Sequence, residues 1–132
     1  MLKYKEAYHN AVMNDLDEWV DSIKDSGKLI LVEGKKDREA LGSLGIKNTL
    51  AVCSKSTYKS VEAISGITRE VIILTDLDKE GRKLYSELKH NVQRSGIKVD
   101  TVFREYLFRC TKITHIEGIA TTFKNRNNNQ YL

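Results

Sequence analysis

The chain has 132 residues, 22 Lys plus Arg against 18 Asp plus Glu, and a formal net charge of +4. That length suits one domain, and the mild positive charge permits a nucleic-acid partner without demanding one. With 40% apolar and 30% charged residues, the composition is that of a soluble globular protein, and no run approaches the ~18 apolar residues of a membrane span. The polar first ten residues show no signal peptide. Cys53 and Cys110 lack metal-ligand spacing and any CxxC pairing, which predicts two reduced core thiols in a cytoplasmic protein.

The first predicted element is a long helix over residues 3–26. Tyr4, Tyr8, Val12, Leu16, Trp19, Val20 and Ile23 recur at spacings of three and four, and Gly27 supplies a C-terminal stop. Its aromatic-rich stripe fits packing on the domain, a homodimer contact with a second copy, or a stacking platform. Leu29 to Glu33 reads as the first strand, Lys35 to Leu44 as a helix closed by Gly45, and Asn48 to Val52 as a short second strand. A polar loop from Cys53 to Ser60 enters a helix ending near Ile64, with Ser56 or Thr57 as N-cap. The third strand is Glu70 to Thr75, followed by a helix from Lys79 to about Gln93 with Leu84, Tyr85, Leu88 and Val92 inward. Lys98 to Phe103 is the fourth strand. Strands alternating with helices through short connections predict an α/β fold with a four-stranded parallel sheet. Beyond it, Arg104 to Cys110 reads as a short helix, Lys112 to Ile116 as an edge strand and Glu117 to Phe123 as a final helical turn or two. The polar stretch 124–132 reads as a disordered tail, leaving residues 1–27 as a helical extension and 28–123 as the domain.

Two strand exits carry the chemistry. Val71 to Leu74 is apolar throughout, as in a parallel sheet covered on both faces, and runs into Thr75-Asp76-Leu77-Asp78. Functional groups of such sheets gather at the carboxyl ends of strands. Folding alone does not ask for two carboxylates two residues apart there, and a cation relieves their repulsion; oxygen ligands of this kind suit Mg²⁺ or Mn²⁺. Leu29 to Val32 has the same design and ends in Glu33-Gly34-Lys35-Lys36-Asp37.

A strand-terminal Glu33-Gly34 and, about forty residues later, Asp76-Leu77-Asp78 on another strand resemble the Toprim family, the metal-binding domain of bacterial-type primases, type IA and type II topoisomerases and several nucleases. Lys79-Glu80-Gly81 is closest to the topoisomerase form of the motif, and the resemblance spans roughly residues 28–104. It implies a three-layer α/β/α, Rossmann-like fold. It also implies that strands one and three are neighbours, which the order 2-1-3-4 satisfies. By the same resemblance, Glu33, Asp76 and Asp78 are the catalytic set, Asp76 and Asp78 hold the metal, and Glu33 is a general acid or base or a further metal contact. Glu80 is a further candidate ligand. No topoisomerase body, primase module or ATPase accompanies the motif, and neither Tyr106 nor Tyr131 has the surroundings of a strand-cleaving tyrosine. The likeness is therefore to small stand-alone Toprim proteins and to the catalytic half of the nuclease that matures 5S ribosomal RNA.

Lys35, Lys36, Lys55, Lys59 and Arg82 surround the acids at the same sheet edge and would neutralise the phosphates of DNA or RNA. Within Thr114 to Gly118, His115 or Glu117 could also approach phosphate. The expectation is an Mg²⁺- or Mn²⁺-dependent nuclease. The alternative is a non-catalytic, metal-assisted DNA- or RNA-binding protein or a subunit of a larger complex. A flavodoxin-like response domain would want a single acceptor aspartate, and the Glu33-Gly34 pair argues against it.

Overall fold

The structure, a computed structural model, describes residues 13–52 and 57–129, with side chains to Asn125. Its elements are α1 (Leu16–Ser26), β1 (Leu29–Val32), α2 (Lys35–Gly42), β2 (Thr49–Ala51), α3 (Thr57–Ile64), β3 (Glu70–Leu74), α4 (Lys79–Arg94), β4 (Lys98–Asp100), α5 (Val102–Cys110) and α6 (Glu117–Asn129).

The four strands form one parallel sheet in the order β2-β1-β3-β4, as expected. The apolar strands bury both faces because a pleated strand sends alternate side chains to opposite sides. Ile30, Val32, Ile72 and Leu74 pack with Trp19, Leu41, Leu107, Ile116 and Ile119, so α1, α2, α5 and α6 cover one face. Leu31, Val71 and Ile73 pack with Val61, Ile64, Leu88 and Val92, so α3 and α4 cover the other. In register, Leu31 lies opposite Ile73 and Val32 opposite Leu74, which brings the two acidic strand exits side by side.

Several expectations change. Among the described residues the first helix begins at Leu16, where the Asp15 side chain accepts from the Glu18 backbone N–H and caps it; Tyr4, Tyr8 and Val12 lie outside the described residues. Its described stripe is spent inside the chain. Trp19 is fully buried, meets Phe103 edge to face and donates its indole N–H to the Phe103 carbonyl at 2.9 Å, so it is no stacking platform. The fourth strand stops at Asp100, whose carboxylate accepts from the Val102 N–H and turns the chain into α5.

The edge strand expected over Lys112 to Ile116 does not form. The Ile113 N–H goes to the Thr111 hydroxyl and the Ile116 N–H to the Asp76 side chain, which leaves no ladder. The last helix continues to Asn129, through polar residues expected to be disordered; its start is anchored by buried Ile116 and Ile119 and half-buried Phe123. Cys110 is exposed rather than a core thiol, and Cys53 lies outside the described residues.

Candidate metal centre

The exit of β3 is held from three sides. Asp78 is the N-cap of α4: its Oδ1 accepts from the Gly81 N–H at 2.7 Å. The Thr75 hydroxyl donates to the Gly81 carbonyl at 2.7 Å, drawing the first turn of α4 onto the loop. A Cβ at Gly81 would lie 2.1 Å from the Asp76 carbonyl oxygen, so only glycine allows this approach. From the opposite face, buried Arg104 donates through Nε to the Thr75 carbonyl at 3.0 Å and through Nη2 to the Asp76 carbonyl at 2.9 Å. Its guanidinium stacks on Tyr85 and Phe108, with centroid distances of 4.2 and 4.8 Å. Burial lowers its pKa, an effect opposed by the charges of Glu33 and Asp76 among others.

From the exit of β1, Glu33 Oε1 accepts the Asp76 N–H at 2.8 Å. The adjacency expected of the two motifs is therefore a direct hydrogen bond. Burial raises the Glu33 pKa; the Asp76 N–H works against this, and the charges of Asp76, Asp78 and Glu80 add to it.

Asp76 Oδ1 accepts the Ile116 N–H at 2.8 Å. Each aspartate thus commits Oδ1 to a backbone amide and keeps Oδ2 as a ligand atom. Asp76, Asp78 and His115 offer ligand atoms that all lie within 4.8 Å of one another. One divalent ion with ligand distances of roughly 2.0–2.6 Å can draw in a set so spaced, and the donor types suit such an ion. Glu33 and Glu80 are not in that mutually close set. Glu80 is exposed in the first turn of α4 and reaches Glu33 through its charge.

A cleft of about 440 Å³ opens beside these groups, lined among others by Glu33, Lys35, Lys36, Asp37, Asp76 and His115. Lys35 and Lys36 are exposed at its rim, as expected, and Lys35 stands 3.9 Å from Glu39. Arg82 and Lys59 are exposed in the first turns of α4 and α3 at the same edge of the sheet, and Lys55 lies outside the described residues.

Two groups, Asp37 and Arg104, were not candidates from sequence, and a third, His115, was one only loosely. Asp37 is buried, accepts the Gly34 N–H at 3.2 Å, and has its pKa pushed up to about 6 by burial and then by the Asp76 charge. Its position in the first turn of α2, four residues after Glu33, was the available signal. Arg104 had none, since a charged residue opening a helix usually faces solvent. His115 was visible only as one candidate in a loose segment.

Comparisons with known proteins bear on family and fold. A family model described as the Toprim domain matches residues 27–103. A UPF0292 protein of Methanocaldococcus jannaschii is 31% identical over 126 residues, covering 92% of this chain and 97% of its own. A UPF0292 protein of Pyrococcus abyssi is 34% identical over 104 residues, 79% of this chain and 78% of its own. Among solved structures, a putative protein from Aquifex aeolicus superposes with a TM-score of 0.75 at 34% identity, over 80% of this chain and 98% of that one. The zinc-binding and RNA polymerase domains of the Aquifex aeolicus primase superpose with a TM-score of 0.52 at 28% identity, over 68% of this chain and 25% of that one.

Proposed function

The chain belongs to the Toprim family, and we propose that it is a divalent-metal-dependent enzyme of phosphodiester cleavage, a nuclease acting on DNA or RNA. Asp76 and Asp78 hold Mg²⁺ or Mn²⁺ through their Oδ2 atoms, since Oδ1 of each is committed to a backbone N–H. A divalent ion held there would supply neutralisation of the charge developing on a phosphoryl oxygen. The observation that carries the reading is the hydrogen bond from the Asp76 N–H to Glu33 Oε1. It fixes a carboxyl group of raised pKa beside the metal pair, with a second oxygen to give or take a proton at the attacked phosphate. The nucleic acid lies along the carboxyl edge of the sheet, its phosphates met by Lys35, Lys36, Lys59 and Arg82.

The test is incubation with labelled single- and double-stranded DNA and RNA in Mg²⁺ and in Mn²⁺. Glu33→Gln keeps an oxygen for the Asp76 N–H, so fold and affinity should persist. Its cleavage rate should fall by about 10²–10⁴, the usual worth of a positioned acid or base. Failure of the wild type to cut any substrate would reduce the protein to a metal-assisted nucleic-acid binder.

A further inference from the structure

We propose that His115 is a third protein ligand of this cation site and that it biases the site towards Mn²⁺ over Mg²⁺. The inference rests on the metal-binding reading of Asp76 and Asp78.

The position of His115 is set by backbone hydrogen bonds on either side of it. The Leu77 N–H, between the two aspartates, donates to the Thr114 carbonyl at 2.8 Å. The Ile116 N–H donates to Asp76 Oδ1 at 2.8 Å. Buried Ile113 and Ile116 secure the same segment in the core. The residue between these anchors therefore meets the aspartate loop wherever its own side chain points, and the exposed ring lies beside Asp78, with Nε2 3.6 Å from Asp78 Oδ2.

The ring is also oriented as a ligand. Nδ1 lies 3.0 Å from the Thr114 hydroxyl oxygen. With Nδ1 carrying the proton and donating it to that hydroxyl, the lone pair is on Nε2, facing Asp78. A metal-binding imidazole is commonly held by such a bond from its other nitrogen. A simple ion pair with Asp78 explains less. At 3.6 Å between side chains 58% and 46% exposed, it is screened by solvent and weak, and it requires neither the two anchors nor the Thr114 contact.

The donor set then sets the preference between these two ions. Mg²⁺ prefers oxygen and near-ideal octahedral geometry, whereas first-row transition ions accept an imidazole more readily, so two carboxylates with one imidazole favour Mn²⁺ over Mg²⁺. His115 lies beyond the span matched by the family model, which ends at Phe103, so this donor comes from the chain's own C-terminal segment.

The experiment uses the full chain, freed of metal, titrated with Mn²⁺ and with Mg²⁺ by calorimetry, together with pulsed electron paramagnetic resonance of the bound Mn²⁺. The wild type should bind Mn²⁺ more tightly and show a nitrogen hyperfine coupling from a directly bound imidazole. His115→Ala, at an exposed position, should keep the fold, lose that coupling and weaken Mn²⁺ by about tenfold or more. Mg²⁺ affinity should change by no more than about twofold, given its preference for oxygen. Thr114→Val should weaken Mn²⁺ while retaining the coupling. Mn²⁺ binding that is lost in Asp76→Asn/Asp78→Asn, yet shows no nitrogen coupling and is unchanged in His115→Ala, overturns the role of His115 and leaves the aspartate site standing. Mn²⁺ binding that survives the double aspartate variant, or its absence from the wild type, overturns the site itself.

Discussion

Where β1 and β3 begin, Lys28 Nζ lies 2.7 Å from Asp100 and 3.1 Å from Glu70. Burial opposes its charge, but the hydrogen bonds to both acids win and its pKa is raised. Where the same strands end, Glu33, Asp37 and Asp76 line one cleft, and the carboxyls of Glu33 and Asp37 both titrate above their ordinary range. The only buried cation behind them, among the described residues, is Arg104. At one end charge is matched and contributes to folding. At the other, burial and then like charges penalise the carboxylates of the folded state, and a cation bound there would relieve the repulsive part. The family motif thus sits at the end of the sheet where stability is lowered by its own side chains.

The contrast can be broken most sharply at Arg104. Arg104→Met keeps much of the stacking volume against Tyr85 and Phe108 but strips the Thr75 and Asp76 carbonyls of their donors. Loss of about 2–3 kcal/mol in urea unfolding is expected, the cost of leaving such groups unsatisfied. A neutral result would mean that the acidic end needs no cation behind it.

Asp37→Asn should act in the opposite direction. Its folded-state pKa is about 6 against an ordinary 3.8, so the native state keeps a proton that the unfolded chain has already released. The associated stability is fully present below about pH 4, is lost as pH rises towards 6, and stays lost above. Asparagine can still accept from the Gly34 N–H and cannot ionise. In EDTA at pH 7 the variant should be more stable by about 1–2 kcal/mol, and the two curves should converge near pH 4. Parallel curves across that window would remove Asp37 from the contrast.

The smallest effect belongs to the matched end. Lys28→Met should cost about 0.5–1 kcal/mol, and less in high salt, as for a partly exposed ion pair. Stabilisation by this change would show that the beginning of the sheet is no better matched than its end.

The strands and their order were legible because their signal is dense. Runs such as Val71 to Leu74 can only be buried on both faces, and two motif-bearing exits had to meet. What stayed hidden depends on side-chain hydrogen bonds that periodicity does not encode. Lys112 to Ile116 alternates like a strand, but its amides are taken by Thr111 and Asp76. Phe103 reads as the end of β4, but the Asp100 carboxylate bends the chain three residues earlier. Asp76, Asp78 and Glu33 could be found from their spacing. Arg104 could not, and His115 was visible only as a candidate phosphate contact, since each reaches the site from a segment whose sequence gives no hint of the loop it grips.

The grip of residues 104–116 on the loop of Asp76 bears on modularity. The recognisable family segment ends at Phe103, and recombination or protein engineering would naturally cut there. A piece so cut carries both aspartates and the glutamate. It leaves behind the guanidinium on the Thr75 and Asp76 carbonyls, the partner of the Leu77 amide and the amide on Asp76 Oδ1. The inheritable motif is therefore shorter than the transplantable unit, and a chimaera built on this centre must carry the chain through at least Ile116 to receive a loop already in shape.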